Sequence, residues 1–141
     1  MNVGGFFQMM DISASALHAE RARMNVVANN LANAYTTHDT DGNRKTFRRQ
    51  MVSFKPGAPD VTGSETLGVQ VSEITPDMTS FRKVYQPTHP DADEKGYVSM
   101  PNVDVATEMM DMMVASRAYE ANITAMESAK QVIRGSLQIF A

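Results

Sequence analysis

The segment DADEKGYVSMPN, Asp91–Asn102, nearly spells a calcium-binding loop, with carboxylates at its first and third positions and glycine at its sixth. Two positions break the pattern. Lys95 at the fifth places a positive charge inside the cage, and Asn102 at the twelfth replaces the bidentate glutamate. A polar turn leading into a helix is the expectation instead. The run DTDGN at Asp39 fails too, with glycine fourth and Arg44 sixth. His18, His38 and His89 share no metal-binding spacing, and no G-x-S-x-G, P-loop or dinucleotide fingerprint is present. The expectation is therefore no enzyme, with no catalytic, cofactor-binding or metal residues; a metal-dependent enzyme built on the aspartate-rich turn is the weakest alternative.

Composition narrows the classes further. The chain has 141 residues, 43% hydrophobic and 21% charged, which suits compact units and argues against disorder. A net charge of −3 gives no reason to expect nucleic acid. The basic run RKTFRR, with Arg44, Lys45, Arg48 and Arg49 around Phe47, reads as a solvated or subunit-contacting strand whose Arg48 and Arg49 point to opposite faces. No cysteine is present, so thiol chemistry is excluded. The start MNVGGFFQMMD has no positive n-region, long apolar stretch or A-x-A site, so no cleavable secretory signal and no membrane insertion are expected.

The elements that must carry any function fall into three segments. Residues 1–35 and 102–141 favour helix and contain no proline, whereas 36–101 holds all six prolines and most of the glycines. The middle also contains short β-leaning pieces, FRRQMVSF, LGVQVSEI, SFRKVYQ and GYVSM, with turns at DTDGN, KPGAPD and HPDADEKG. The predicted fold is mainly α with a small β-rich insertion. Its N- and C-terminal helices form an antiparallel coiled-coil-like pair, and that pair packs in a helical tube.

The helices carry a seven-residue rhythm. In the second, Val105, Met109, Met112, Ser116, Tyr119, Ile123, Met126, Lys130, Ile133, Leu137 and Phe140 alternate steps of four and three. The first repeats it with Met10, Leu17, Met24 and Leu31 on one arm and Ala14, Arg21 and Ala28 on the other. Behind this seam lies a second face: Ile12, Ser15, Ala19, Ala22, Val26, Asn29 and Asn33 in the first helix, and Val114, Ala118, Ala121, Ala125, Ser128 and Val132 in the second. A solvent face would be charged; these are small, apolar or amide. They are assigned to inter-subunit contacts, where amides can be paired and charge would need desolvation. Asn33 also fits a helix C-cap. A free chain with these faces uncovered would hold its terminal segments largely disordered until docking. A non-polymerising helical adaptor, binding a partner through the methionine-rich face, is the competing reading.

The segments NVVANNLANAYTT and SRAYEANITAMESAKQVI resemble the terminal signatures of the bacterial flagellar rod and hook axial proteins. The linking stretch VYQPTHPDADEKGYVSMPNVDVATEMMDMMVASRAYEAN is similar to that of their proximal-rod subunits, although Thr88 stands where glycine is expected and KPGAPDVTGSET matches nothing in the pattern. The resemblance implies terminal helices forming the inner layer of a tube, with the middle outside, as part of a torque-transmitting drive shaft spanning the periplasm. It implies as partners further copies of the chain, the rod proteins FlgB, FlgF and FlgG, the hook-basal body protein FliE, and the flagellar type III export apparatus. Export without signal cleavage follows from the same resemblance.

Overall fold

The computed structural model describes the backbone of residues 3–57 and 68–140, and the side chains of residues 8–57, 68–136 and 138. The turn read at KPGAPD lies partly outside the described residues, as do the side chains of Leu137 and Phe140. The order is α1 (Val3–Ala32), β1 (Gln50–Pro56), β2 (Val69–Pro76), β3 (Arg82–Tyr85), β4 (Tyr97–Met100) and α2 (Val105–Phe140). The chain is thus mainly helical with a β insertion. No described helix is long and apolar enough to cross a membrane.

Each helix end has a local cause. Asp104 caps α2: its carboxylate accepts the Ala106 N–H at 3.1 Å and the Thr107 hydroxyl at 3.1 Å, satisfying groups the first turn leaves open. At the end of α1, Asn33 turns its side chain back, donating from Nδ2 to the Asn29 carbonyl at 2.9 Å and to Asn29 Oδ1 at 3.0 Å. The left-handed conformation of a C-cap is not used, since no described residue except glycine has a positive φ. Thr88 likewise forms its turn without one.

The helices pack antiparallel: Asn30 meets Glu108, and further along Met24 meets Ser116. Their covered faces follow heptads. In α1, Met10, Leu17, Met24 and Leu31 are half-buried, and the arm beside them is Ser13, Glu20, Val27 and Ala34. In α2, Val105, Met112, Tyr119, Met126 and Ile133 are half-buried, and the accompanying arm is Glu108, Ala115, Asn122, Ala129 and Ser136. In both helices this second arm lies one residue before the expected one, although Ala14 and Ser116 of the expected arm are half-buried and Ser116 meets Met24. Arg21 and Ala28 are exposed, as are Met109, Ile123 and Lys130. Polar residues at several of these positions hide the true arm from an apolar pattern.

Two antiparallel hairpins complete the chain. β1 pairs β2, with a register shift between Ser53 and Phe54, and β3 pairs β4 from Arg82↔Met100 to Tyr85↔Tyr97. The first hairpin lies against α1. The Ser15 hydroxyl accepts the Val69 N–H at 3.1 Å, and the Arg23 guanidinium sits 4.9 Å from the centre of the Phe54 ring. Gly68, at φ 132°, permits this seat, because a Cβ there would lie 2.6 Å from Ser15 Oγ.

Candidate functional site

Asn30 is the best-connected member of the ANNLAN stretch and is 1% exposed. Its Nδ2 donates to the Gln50 carbonyl at 2.8 Å, and its Oδ1 accepts the Gln50 N–H at 2.8 Å. One side-chain amide therefore pairs with a peptide as a neighbouring strand would, docking the start of β1 on α1. The same Nδ2 donates to Glu108 Oε2 at 3.0 Å, which adds α2. Asn29 reinforces the joint from a more exposed position, donating to Gln50 Oε1 at 3.1 Å.

Glu108 is wholly buried, so its charge needs a partner. Arg49 supplies one, with Nε 2.6 Å from Oε1. The guanidinium also lies 3.7 Å from Asp77 and 3.6 Å from Asp111. Burial acts to lower the Arg49 pKa, but the Glu108 hydrogen bond and the charges of Glu108, Asp77 and Asp111 outweigh it, and the net direction is upward. Asn102 closes the network: Oδ1 accepts the Arg49 N–H at 2.9 Å, and Nδ2 donates to the Asp77 carbonyl at 3.1 Å and Thr79 Oγ1 at 2.8 Å. The residue that spoils a calcium loop at its twelfth position is thus a structural amide.

Arg48 and Arg44 of the basic run are also spoken for within the chain. Arg48 donates to the carbonyls of Asp77 and Thr79, both at 2.9 Å, and stacks 4.2 Å from the centre of the Phe81 ring. Arg44 donates to the Asp91 carbonyl. Arg48 and Arg49 do point to different partners, as their adjacency implied, but both precede β1 and neither serves as a free strand surface. Asp93 turns its carboxylate onto the N–H groups of Lys95 and Tyr97.

Acid sensitivity follows from the turn carboxylates. The Asp77 pKa is lowered chiefly by the Thr79 backbone N–H, that of Asp39 by the Asn43 N–H, and that of Asp93 by the Tyr97 N–H. Their stabilisation is present above the ordinary carboxylate value of 3.8 and is lost as pH falls through the lower folded values. Urea midpoints should therefore drop as pH falls through and below that ordinary value, and Asp77→Asn should make the drop shallower.

The face assigned to neighbouring subunits divides between the two helices. In α1 it is largely occupied by the chain itself. Ala19 is 4% and Val26 6% exposed, Ile12, Ala22 and Asn33 are half-buried, and Ser15 and Asn29 bond the β1–β2 hairpin. This corrects the expectation that a second body must come from another subunit, since the hairpin supplies it for α1. Burial against the hairpin also gives α1 a reason to fold before any docking. In α2 the face stays open: Val114 is 59% exposed, Ala121, Ala125 and Val132 are exposed, and Ala118 is half-buried. Met109, Met110 and Met113 extend the open apolar surface toward the start of the helix. Beside it, a cleft of about 260 Å³ lies between α1, β1 and α2, lined by Val26, Asn30, Arg49, Met51, Glu108 and Val114 among others.

The described helices are paired and braced by a small β insertion, and α2 presents an open apolar face; the family comparisons place this arrangement among the flagellar rod proteins. Residues 10–37 match the flagella basal body rod protein family, and residues 94–139 match the flagellar basal body rod FlgEFG protein C-terminal family. The chain is 42% identical to the flagellar basal-body rod protein FlgC of Bacillus subtilis, over 94% of this chain and 97% of the relative. It is 40% identical to FlgC of Escherichia coli O157:H7, over 93% and 95%, and 38% identical to FlgC of Borreliella burgdorferi, over 96% and 97%. The chain belongs to the FlgC family of flagellar basal-body rod proteins and is a structural subunit of the rod.

Proposed function

We propose that the subunit polymerises through its terminal helices, residues 1–35 and 102–141, as the inner layer of a helical tube. Residues 36–101 form the outer layer, except that the β1–β2 hairpin also braces α1 from within the chain. The tube is the proximal, torque-transmitting part of the rod where it spans the periplasm. Partners are copies of the chain, FlgB, FlgF, FlgG and FliE, and the type III export apparatus that delivers it without signal cleavage. No catalysis, nucleic acid or membrane insertion enters this role.

The observation that carries the reading is the largely open α2 stripe, Val114, Ala121, Ala125 and Val132 with half-buried Ala118 among them, on a helix that packs against α1 through another face. Small and apolar residues allow a neighbouring backbone to come close, and such a surface is costly to leave in water. A charge placed there meets solvent in the free subunit and a desolvated contact in the assembly. Val114→Glu should therefore change monomer stability by no more than about 0.5 kcal/mol while abolishing swimming and rod completion. Swimming cells with complete rods built from the Val114→Glu subunit would refute the assignment, and a defined, saturable stoichiometry with one partner would favour an adaptor.

A further inference from the structure

The second and third turns of α2 carry four of the chain's twelve methionines, Met109, Met110, Met112 and Met113. They do not share one task. Met112 belongs to the half-buried arm packed against α1, whereas Met109, Met110 and Met113 are each more than half exposed. Residues three and four apart on a helix are neighbours, so Met113 lies beside both Met109 and Met110, and the three side chains form one patch. Val114, four residues after Met110, continues that patch into the open stripe.

Packing within the chain does not account for these three side chains. One heptad further along, the positions of Met110 and Met113 are taken by Arg117 and Glu120, both exposed, as a solvent face requires. The fold therefore tolerates polar groups on this side of α2. Methionine also brings chemistry that other apolar residues lack. Hydrogen peroxide converts its thioether to a sulfoxide: one S–O bond forms, the O–O bond breaks, the sulfur gives up two electrons, and the peroxide leaves as water. The product is polar, so an apolar contact surface becomes one that resists desolvation. The chain has no cysteine to react first. Access then selects among the methionines, since Met100 is buried and Met24 is half-buried with its sulfur accepting the Ser116 hydroxyl.

We infer that Met109, Met110 and Met113 form an oxidation site that governs assembly: hydrogen peroxide converts them to sulfoxides in the free subunit and so withdraws that subunit from polymerisation. The inference rests on the reading that the open α2 face is buried between subunits. A docked neighbour covers the patch, so the reaction acts before assembly and spares the finished tube. Met78, in the middle segment between β2 and β3, is 78% exposed and provides a reference outside the terminal helices.

The test uses the full-length chain supplied to cells lacking their own copy. New subunits are pulsed with hydrogen peroxide, the peroxide is destroyed with catalase before rods complete, and mass spectrometry compares sulfoxide in completed rods with that in unassembled subunits. Sulfoxide at Met110 and Met113 should be at least several-fold scarcer in the rods, whereas that at Met78 should enter undiminished. Met109→Leu, Met110→Leu and Met113→Leu together should preserve swimming and relieve the delay that the pulse imposes on wild type. Glutamine at the same three positions, a lasting polar substitute, should abolish rod completion at an unchanged urea midpoint. Equal entry of the Met78 and Met110 sulfoxides, no sulfoxide at Met110 and Met113 in the unassembled pool, an equal delay in the leucine variant, or complete rods from the glutamine variant would overturn the inference. Val114→Glu separates the two levels. If it blocks assembly while the glutamine variant assembles, the oxidation site alone falls; if both assemble, the reading beneath it falls as well. The wild-type sulfoxide ratio decides the matter even where a variant fails to fold.

Discussion

Arg49→Ala should lower the unfolding free energy by about 3–5 kcal/mol, because it leaves the wholly buried Glu108 carboxyl without its ion-pair partner. Few single substitutions reach that size. The ion pair itself is not the source of so much stability, since desolvating both charges offsets most of their attraction. The loss comes from stranding one of them. Two further variants separate these effects. Glu108→Gln keeps an acceptor and a donor in place and should cost less than Arg49→Ala. Replacing both partners by apolar residues, Arg49→Met with Glu108→Leu, should recover much of the loss. Denaturant unfolding of the monomer measures all three, and additive single and double losses would show that the two side chains are not coupled.

Asn30→Ala is the second large effect, about 2–4 kcal/mol, because three groups, one buried and two partly buried, lose their partner together. They are the Gln50 N–H, the Gln50 carbonyl and one oxygen of Glu108. Asn30→Asp should be worse still, since it removes the donor and sets a carboxylate 3.0 Å from Glu108. Asn25→Ala, on an exposed position of the same helix, should stay within about 0.5 kcal/mol. Equal losses at Asn25 and Asn30 would mean that helix propensity, and not the junction, sets the cost.

These amides show where the sequence was legible and where it was not. The two helices, the four described strands and the proline-bounded middle follow from local signals: apolar spacing, and β-leaning pieces between turn residues. One arm of each helical seam, Met10 to Leu31 and Val105 to Ile133, was legible because its residues are apolar without exception. The companion arm was not, because Ser13, Glu20, Glu108 and Asn122 are polar and look like surface. The same blindness concealed the junction. Arg49, Asn30 and Glu108 are 19, 59 and 78 residues apart pairwise, and nothing local says that three polar groups will satisfy one another. A signal did exist in retrospect: an amide inside a stretch without one charge, Met24–Thr37, asks for a partner.

The face behind the seam was legible as a contact surface but not in its occupant. Small residues and amides at Ala19, Val26 and Asn29 say that something covers α1, and they do not say whether it is the same chain. The β1–β2 hairpin answers for α1. On α2 the stripe from Val114 to Val132 stays largely exposed, and that asymmetry is the basis for assigning α2 to the neighbours.

The chain has no cysteine, so a single introduced one is a unique reporter of each face. The decisive measurement compares the thiol reactivity of Val114→Cys and Val26→Cys subunits, free and in isolated basal bodies. Val114→Cys should react readily in the free subunit and become protected in the rod, whereas Val26→Cys should be protected in both. Equal reactivity of Val114→Cys in the two states, or protection of Val26→Cys appearing only on assembly, would contradict the division of faces between α1 and α2.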